Sequence, residues 1–388
     1  MPAVTDRYDP LDATILRDPY PVLAELRSSN PVFWHAGMGS WALTRYADCV
    51  AVLRDHATFA RDPRRTGGTV AEPSLSVQSL DPPQQGRIRS LFMTALHAQD
   101  LTAVESRARR LVLGRLEDLA DGDVFDVVSE IAVPLSVAVV ADLLGVEPPP
   151  YAEFAAVSDA IMRSMDGGLD PSVVDPGRIA RQQLSDLVES WFAAAPRPGL
   201  LARVRANANG VDALARLYVK NTARVMFQGG YSTMAAAAGN AVHTLLTHPE
   251  ALHQMRDQEL LATGVDELVR FDGPVQGTTR IAVRGCRIGD VDIRPGQKVV
   301  PLFAAANHDP DAFTRPSQLV LDRTPNRHLG YGWGPHSCIG TTVAQAGLRA
   351  LVTALNEYPA HLVAAGEGVR RRAATMRAFD TLPAALHR

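Results

Sequence analysis

Residues 330–340 read Gly-Tyr-Gly-Trp-Gly-Pro-His-Ser-Cys-Ile-Gly, and no other stretch constrains the chain as strongly. Four glycines surround one thiol, Cys338, with His336 two residues before it and a helical pattern from Thr341 to Tyr358 after it. Glycine lacks the Cβ that would block a tight turn or a close approach to a flat ligand. Backbone N–H groups in such a turn, and at the start of the following helix, stabilise negative charge on sulfur. A thiolate held this way can serve as the axial ligand of a haem iron. The bland alternative is a buried structural cysteine in a glycine-rich turn, and the length of the pattern argues against it.

Cysteine usage supports a ligand rather than a bridge. Cys49, Cys286 and Cys338 are an odd set scattered over 388 residues, with no zinc-type spacing, which suits a reducing compartment. Cys49, beside Val50 and Val52, and Cys286, in a strand-like run, read as inert fillers. With 46% hydrophobic and 21% charged residues and a net charge of −3, the chain can bury a large core, and bulk attraction to nucleic acid is not implied. The longest apolar run, Ile131 to Val146, is broken by Pro134, Ser136 and Asp142 and is too short to span a bilayer. The opening Met-Pro-Ala-Val-Thr-Asp carries no apolar signal region, so the expectation is a cytoplasmic protein with no membrane partner.

Helical patterns cover residues 98–121, 151–165, 176–195, 211–247 and 341–357. Strand-like runs are few, at residues 41–44, 277–283 and 298–302. No linker or internal repeat stands out. The expectation is one mainly α domain over residues 1–388, with small β-sheets on one side (α+β).

The cysteine segment closely resembles the ligand loop of cytochrome P-450, the haem-thiolate monooxygenases, in which Phe-Gly-x-Gly-x-His-x-Cys-x-Gly is usual. Tyr331 stands where that pattern has phenylalanine, and the remaining positions match. Other segments are similar to the same family. They are Asp18-Pro19-Tyr20-Pro21, Trp41 to Tyr46, the Glu-x-x-Arg element at Glu267 and Arg270, and the stretches at Pro310 to Phe313 and Pro316 to Leu319. The resemblance covers nearly the whole chain and implies the triangular, helix-rich fold of the bacterial soluble class. That fold encloses haem b (iron-protoporphyrin IX), with Cys338 as axial thiolate and Tyr331 and Gly332 beside the cofactor. It also places Arg89, Arg280 and His336 where the family clamps haem propionates, a task suited to the planar arginine fork. Gln85 occupies the family's histidine position four before the arginine, where it can donate a hydrogen bond but carries no charge.

The family's oxygen-activating pattern, Ala-Gly-x-(Asp/Glu)-Thr, aligns with Gly229-Gly230-Tyr231-Ser232-Thr233. Helical spacing puts Met226, Gly229, Gly230, Thr233 and Ala237 on one face. Glycines inside a helix cost roughly 1 kcal/mol each relative to alanine. The expected compensation is room for dioxygen and a local opening of the helix. Thr233 then supplies a hydroxyl to oxygen, with Gly230 and Ser232 beside it and Ser232 in the acid's place. Small residues from Ala235 to Gly239 read as close helix packing. By position, the substrate pocket takes Gln78, Met226, Gly229, Gln276, Thr278 and Phe379, a mostly apolar lining with polar handles.

The resemblance therefore implies a monooxygenase for a small organic molecule of natural-product type, by hydroxylation, epoxidation or ring coupling. Nothing in the chain resembles a flavin or nicotinamide domain, so a separate ferredoxin-type donor would supply electrons. The missing helix acid raises one alternative, a haem-binding carrier or sensor without oxygen chemistry. A hydrolase using His336 and Cys338 as a dyad lacks an orienting third group.

Overall fold

The computed structural model describes residues 8–194, 197–207 and 213–387. Its axis is a single helix of 35 residues, Ala213–Thr247. Apolar residues recur on most faces of this helix, and Phe227, Tyr231, Met234, Ala238, Val242 and Leu245 are all buried. A helix apolar nearly all round must be enclosed by others, and this one is. Helices Tyr151–Arg163, Val174–Ala193, Val133–Leu144, Gln258–Asp272 and Thr341–Glu357 all pack on it. Thr341–Glu357, which follows the cysteine loop, buries Val343, Ala346, Leu348, Leu351 and Leu355 and lies mainly against Leu101–Glu117.

The helical patterns at 151–165, 176–195, 211–247 and 341–357 correspond to single helices, Tyr151–Arg163, Val174–Ala193, Ala213–Thr247 and Thr341–Glu357. The pattern at 98–121 begins too early. The chain breaks at Asp100, whose side chain accepts from the Ala103 N–H and starts Leu101–Glu117, while Gln84–His97 is a separate helix. The broken apolar run after Ile131 is also a helix, Val133–Leu144, entered through a π-helical turn at Val128–Ala132 and ended by Gly145 at φ 73°. Among the described residues no helix is long and apolar enough to cross a membrane.

Five strands form the larger sheet: β1 Val32–His35, β2 Ser40–Leu43, β3 Phe59–Ala60, β4 Arg280–Ala282 and β5 Lys298–Pro301, in the order β1-β2-β5-β4-β3. The β2–β5 pairing is parallel and the others are antiparallel. The run expected as a strand from residue 277 is regular only from Arg280. Before it, Gly277 makes an isolated bridge to Leu302, and the Thr278 N–H reaches the Pro301 carbonyl at 3.3 Å. This sheet draws strands from both halves of the sequence and sets Arg280 close to the cysteine loop's neighbours.

Candidate active site

The cysteine loop is held by its own backbone and by one neighbouring helix. The Cys338 N–H donates to the Tyr331 carbonyl at 2.8 Å, Gly332 N–H to Leu329 at 2.8 Å, and Ser337 N–H to Gly334 at 3.0 Å. Gly334 sits at φ 73°, and a Cβ there would lie 2.5 Å from the Leu53 carbonyl oxygen, so only glycine fits. From the helix Gln84–His97, Gln85 Nε2 donates to the Pro335 carbonyl at 2.8 Å. Arg89 Nη1 donates to the Ser337 carbonyl at 2.8 Å, and its Nη2 to the Ser337 hydroxyl at 3.3 Å. The buried Gln85 amide thus ties down the loop with one of its two N–H donors.

Cys338 is exposed, yet desolvation is the largest influence on its thiol and raises the pKa. Both hold together if the exposed sulfur surface faces an interior space. The Gly340 N–H, the Thr341 hydroxyl and the Arg89 charge pull the other way and favour the thiolate. Among the described residues no group of three or more His, Cys, Asp or Glu side chains is placed to hold a metal ion. Tyr331 packs its ring toward His328, and its hydroxyl is buried without a hydrogen-bond partner. Burial, then the charges of Asp266 and Cys338, push that phenol's pKa up, so it stays protonated.

His336 does not stand alone as an anion ligand. Its Nε2 lies 3.1 Å from Asp81 Oδ1, and burial lowers the imidazole pKa against the pull of Asp81. Asp81 is itself buried, and burial alone would raise its pKa. Hydrogen bonds from His336, from the Arg61 and Asp62 backbone N–H groups and from Arg65 outweigh burial and hold it below the usual carboxylate range. Arg280, also buried, donates from Nη1 to the Thr278 hydroxyl at 3.2 Å and to the Thr279 carbonyl at 2.9 Å. Sequence reasoning missed Asp81 and Arg61 as members of this cluster. Arg61 is placed by the strand pairing that ends beside it, and Asp81 by the hydrogen bonds it accepts from the Arg61 and Asp62 N–H groups, neither of which local spacing shows.

On the central helix, Met226, Gly229, Gly230, Thr233 and Ala237 are partly accessible while their neighbours Phe227, Tyr231, Met234 and Ala238 are buried. That spacing puts them on one stripe of the helix. The two glycines differ. A Cβ on Gly229 would meet nothing within 4 Å, whereas one on Gly230 would come within 3.1 Å of Val140 Cγ2. Gly229 thus leaves room, and Gly230 lets the helix Val133–Leu144 pack closely. The helix does not open at the glycine pair: it is continuous from Ala213 to Thr247, and the π-helical turn lies elsewhere, at Val128–Ala132. Thr233 Oγ1 donates to the Gly229 carbonyl at 2.5 Å and Ser232 Oγ to the Gln228 carbonyl at 2.8 Å. Such bonds to the preceding turn are the usual resting arrangement of helical hydroxyls.

Ser232 lies away from Thr233, on the wall of a cavity of about 480 Å³ behind the helix, with Tyr231, Ala235, Asp159 and Phe379. Phe379, expected in the substrate pocket, therefore packs on the rear of the helix, against His243 and near Gly239. Gln276 turns its amide to the Gly273 carbonyl, and Gln78 is exposed with its carbonyl accepting from Arg61 Nε at 3.1 Å. Thr278 belongs to the arginine cluster.

The family described as cytochrome P-450 matches residues 180–358. Cytochrome P-450 126 of Mycobacterium tuberculosis is 32% identical over 86% of each chain. Nocardicin C N-oxygenase of Nocardia uniformis is 31% identical over 90% of each. The crystal structure of CalO2 superposes with a TM-score of 0.84 at 30% identity, covering 98% of both chains. The chain belongs to the cytochrome P-450 family. The haem that this membership implies fits the residues present. The P-450 has an accessible free thiol at Cys338, a helix stripe with open space at Gly229, and a buried arginine at position 280 whose guanidinium donates to a hydroxyl and a carbonyl.

Proposed function

We propose that this P-450 oxidises a mostly apolar natural-product intermediate, using electrons from a separate ferredoxin-type donor in the cytoplasm, with Cys338 as the thiolate ligand of haem b. The observation that carries this reading is the partly accessible stripe of Met226, Gly229, Thr233 and Ala237 on a helix whose neighbouring positions Phe227, Tyr231, Met234 and Ala238 are buried. It presents small and apolar groups with one hydroxyl, a surface for an apolar body and a single polar event. The relative named for N-oxygenation of nocardicin C supports the substrate class.

When bound, haem supplies dioxygen activation, and thiolate ligation favours O–O cleavage. The chain's own residues do the rest. Arg89 and Gln85 fix the loop that presents Cys338. Arg280 and His336 would hold the cofactor's carboxylates, and Tyr331 and Gly332 shape the loop that carries Cys338. Gly229 keeps the space above the site clear. Thr233 rotates its hydroxyl from the Gly229 carbonyl into the pocket to pass on a proton. Ser232, facing the rear cavity, is separated from that step by the helix backbone.

Thr233→Ala should divert most electron flow into free peroxide, measured as peroxide per NADPH with ferredoxin and its reductase, whereas Ser232→Ala should change coupling little. Equal coupling in wild type and Thr233→Ala would move proton delivery to the substrate's own polar group. The glycine pair gives a second contrast. Gly230→Ala should lower the melting temperature because Val140 must give way. Gly229→Ala should melt at or above wild type, since alanine is the better helix former, while losing turnover. If Gly229→Ala keeps full turnover, its open side does not serve oxygen. A screen of natural-product intermediates for Soret shifts, followed by product analysis, tests the substrate class. Ligand binding without any product under reducing conditions would favour a haem-binding carrier.

A further inference from the structure

β3 and β4 pair antiparallel, Phe59 opposite Ala282 and Ala60 opposite Ile281. Continuing that register by one residue brings Arg61 opposite Arg280. Like charges directly opposite on paired strands are destabilising. Their side chains converge as well: Arg61 Nη1 donates to the Thr278 hydroxyl at 2.8 Å, and Arg280 Nη1 to the same oxygen at 3.2 Å. One neutral oxygen thus serves two guanidinium groups. Arg61 spends its Nε on the Gln78 carbonyl, and Arg280 spends Nη1 also on the Thr279 carbonyl. Among the described residues neither guanidinium makes a hydrogen bond to a carboxylate.

The charge balance of this hydrogen-bonded cluster is uneven. Arg65 joins it through Nη1 to Asp81 Oδ2 at 3.3 Å, and Asp81 takes the Arg61 and Asp62 N–H groups and His336. Arg64 is already matched by two bonds of 2.8 Å to Asp62. Among the described residues Arg61, Arg65 and Arg280 therefore face a single carboxylate, Asp81, leaving two positive charges without a counter-ion there. Burial, and next the charge of Arg61, push the Arg280 pKa down to about 9 against the pull of Asp81. Burial lowers that of Arg61 too. Two enclosed cations side by side need anions, and a dicarboxylate supplies two charges from one molecule.

We infer that Arg61 is a haem-propionate ligand, acting with Arg280 across the β3–β4 pair as a two-arginine clamp whose excess charge the two propionates neutralise. The inference rests on the haem-thiolate reading given above. It gives Thr278 a part as well: its hydroxyl spaces the two guanidinium groups, so that each keeps donors free. Thr278 then serves the cofactor rather than the substrate.

The test uses holoprotein. Haem transfer to apomyoglobin and the propionate bending band in resonance Raman are measured for wild type, Arg61→Ala, Arg61→Lys and Arg280→Ala. Arg61→Ala should lose haem roughly tenfold faster, as expected for loss of one charge-assisted hydrogen bond. It should also shift the propionate band, and Arg61→Lys should recover most of the retention. An unmoved band in Arg61→Ala overturns the inference even if haem is lost faster, because Arg61 would then only support the Gln78 loop. A shift in Arg280→Ala without one in Arg61→Ala sinks the two-arginine clamp alone. No shift in either removes the propionate role of both. Should Arg61→Ala yield no holoprotein, Arg61→Lys decides the matter. It keeps the charge but has one donor group in place of the fork, so its band must still move. The haem-thiolate reading is judged separately, by the carbon monoxide spectrum of the wild-type protein.

Discussion

Cys338→Ala is expected to abolish the absorption band of the reduced, carbon monoxide-bound protein at the wavelength that gives the family its name. The mutation should do this without destroying the loop. The loop's hydrogen bonds run through backbone atoms, from Cys338 N–H to Tyr331, from Ser337 N–H to Gly334 and from Arg89 to Ser337, and none needs the thiol. The loss should therefore be spectroscopic and functional, with haem bound weakly through its carboxylates and melting of the polypeptide changed far less. Cys49 and Cys286 are the controls. Burial raises the thiol pKa at all three cysteines, but Cys49 is enclosed in an apolar cluster, and neither control has the Gly340 N–H, Thr341 hydroxyl and Arg89 charge that favour a thiolate at Cys338. Alanine at either position should leave the band intact. If Cys338→Ala keeps the band, the axial ligand has been misassigned.

What the sequence made legible follows from how local each interaction is. The segment from Gly330 to Gly340 is contiguous, so its turn geometry and thiol can be read together, and the structure differs only in who ties it down. Gln85 and Arg89 contact the loop across about 250 residues of chain, and local spacing cannot show that. The glycine pair was legible as a pair but not as two roles. Adjacent helical residues point about 100° apart, and only the packed neighbour, Val140, reveals that Gly230 is a packing position. Phe379 was misplaced for a similar reason. Its strand, Phe379–Thr381, comes near the central helix, but on the side of Gly239 and His243. Arg61 was invisible because its partner across β3 and β4 lies more than two hundred residues away. The Glu-x-x-Arg element shows both sides of this. Its internal pair is fixed by helical spacing, while the third member, Arg323, comes from a distant segment.

That network supports the prediction with the largest effect on folding. Glu267 and Arg270 side chains are completely buried, and every lone-pair direction of the carboxylate is in use. Oε1 accepts from Arg270 Nη2 at 2.8 Å and from the Val320 N–H at 3.0 Å. Oε2 accepts from Arg270 Nε at 2.8 Å, Arg323 Nε at 2.9 Å and Asn326 Nδ2 at 3.2 Å. The spare arginine donors go to the carbonyls of Asn307, Pro316, Gln318 and Thr314, so the segment leading to the cysteine loop is wrapped around one anion. Glu267→Ala leaves two buried guanidinium groups with no carboxylate. Removing one partner of a buried pair costs about 3–5 kcal/mol, against a total stability of about 5–15 kcal/mol for a folded protein. The variant should therefore melt far below wild type and retain little haem. Arg323→Ala should be milder, because it leaves Glu267 and Arg270 as a neutral, doubly bonded pair. Thermal unfolding and haem content of the two variants provide the check. If Glu267→Ala melts within a few degrees of wild type with full haem content, the carboxylate is not what holds this segment. The carbonyl contacts of the two arginines would then have to do so on their own.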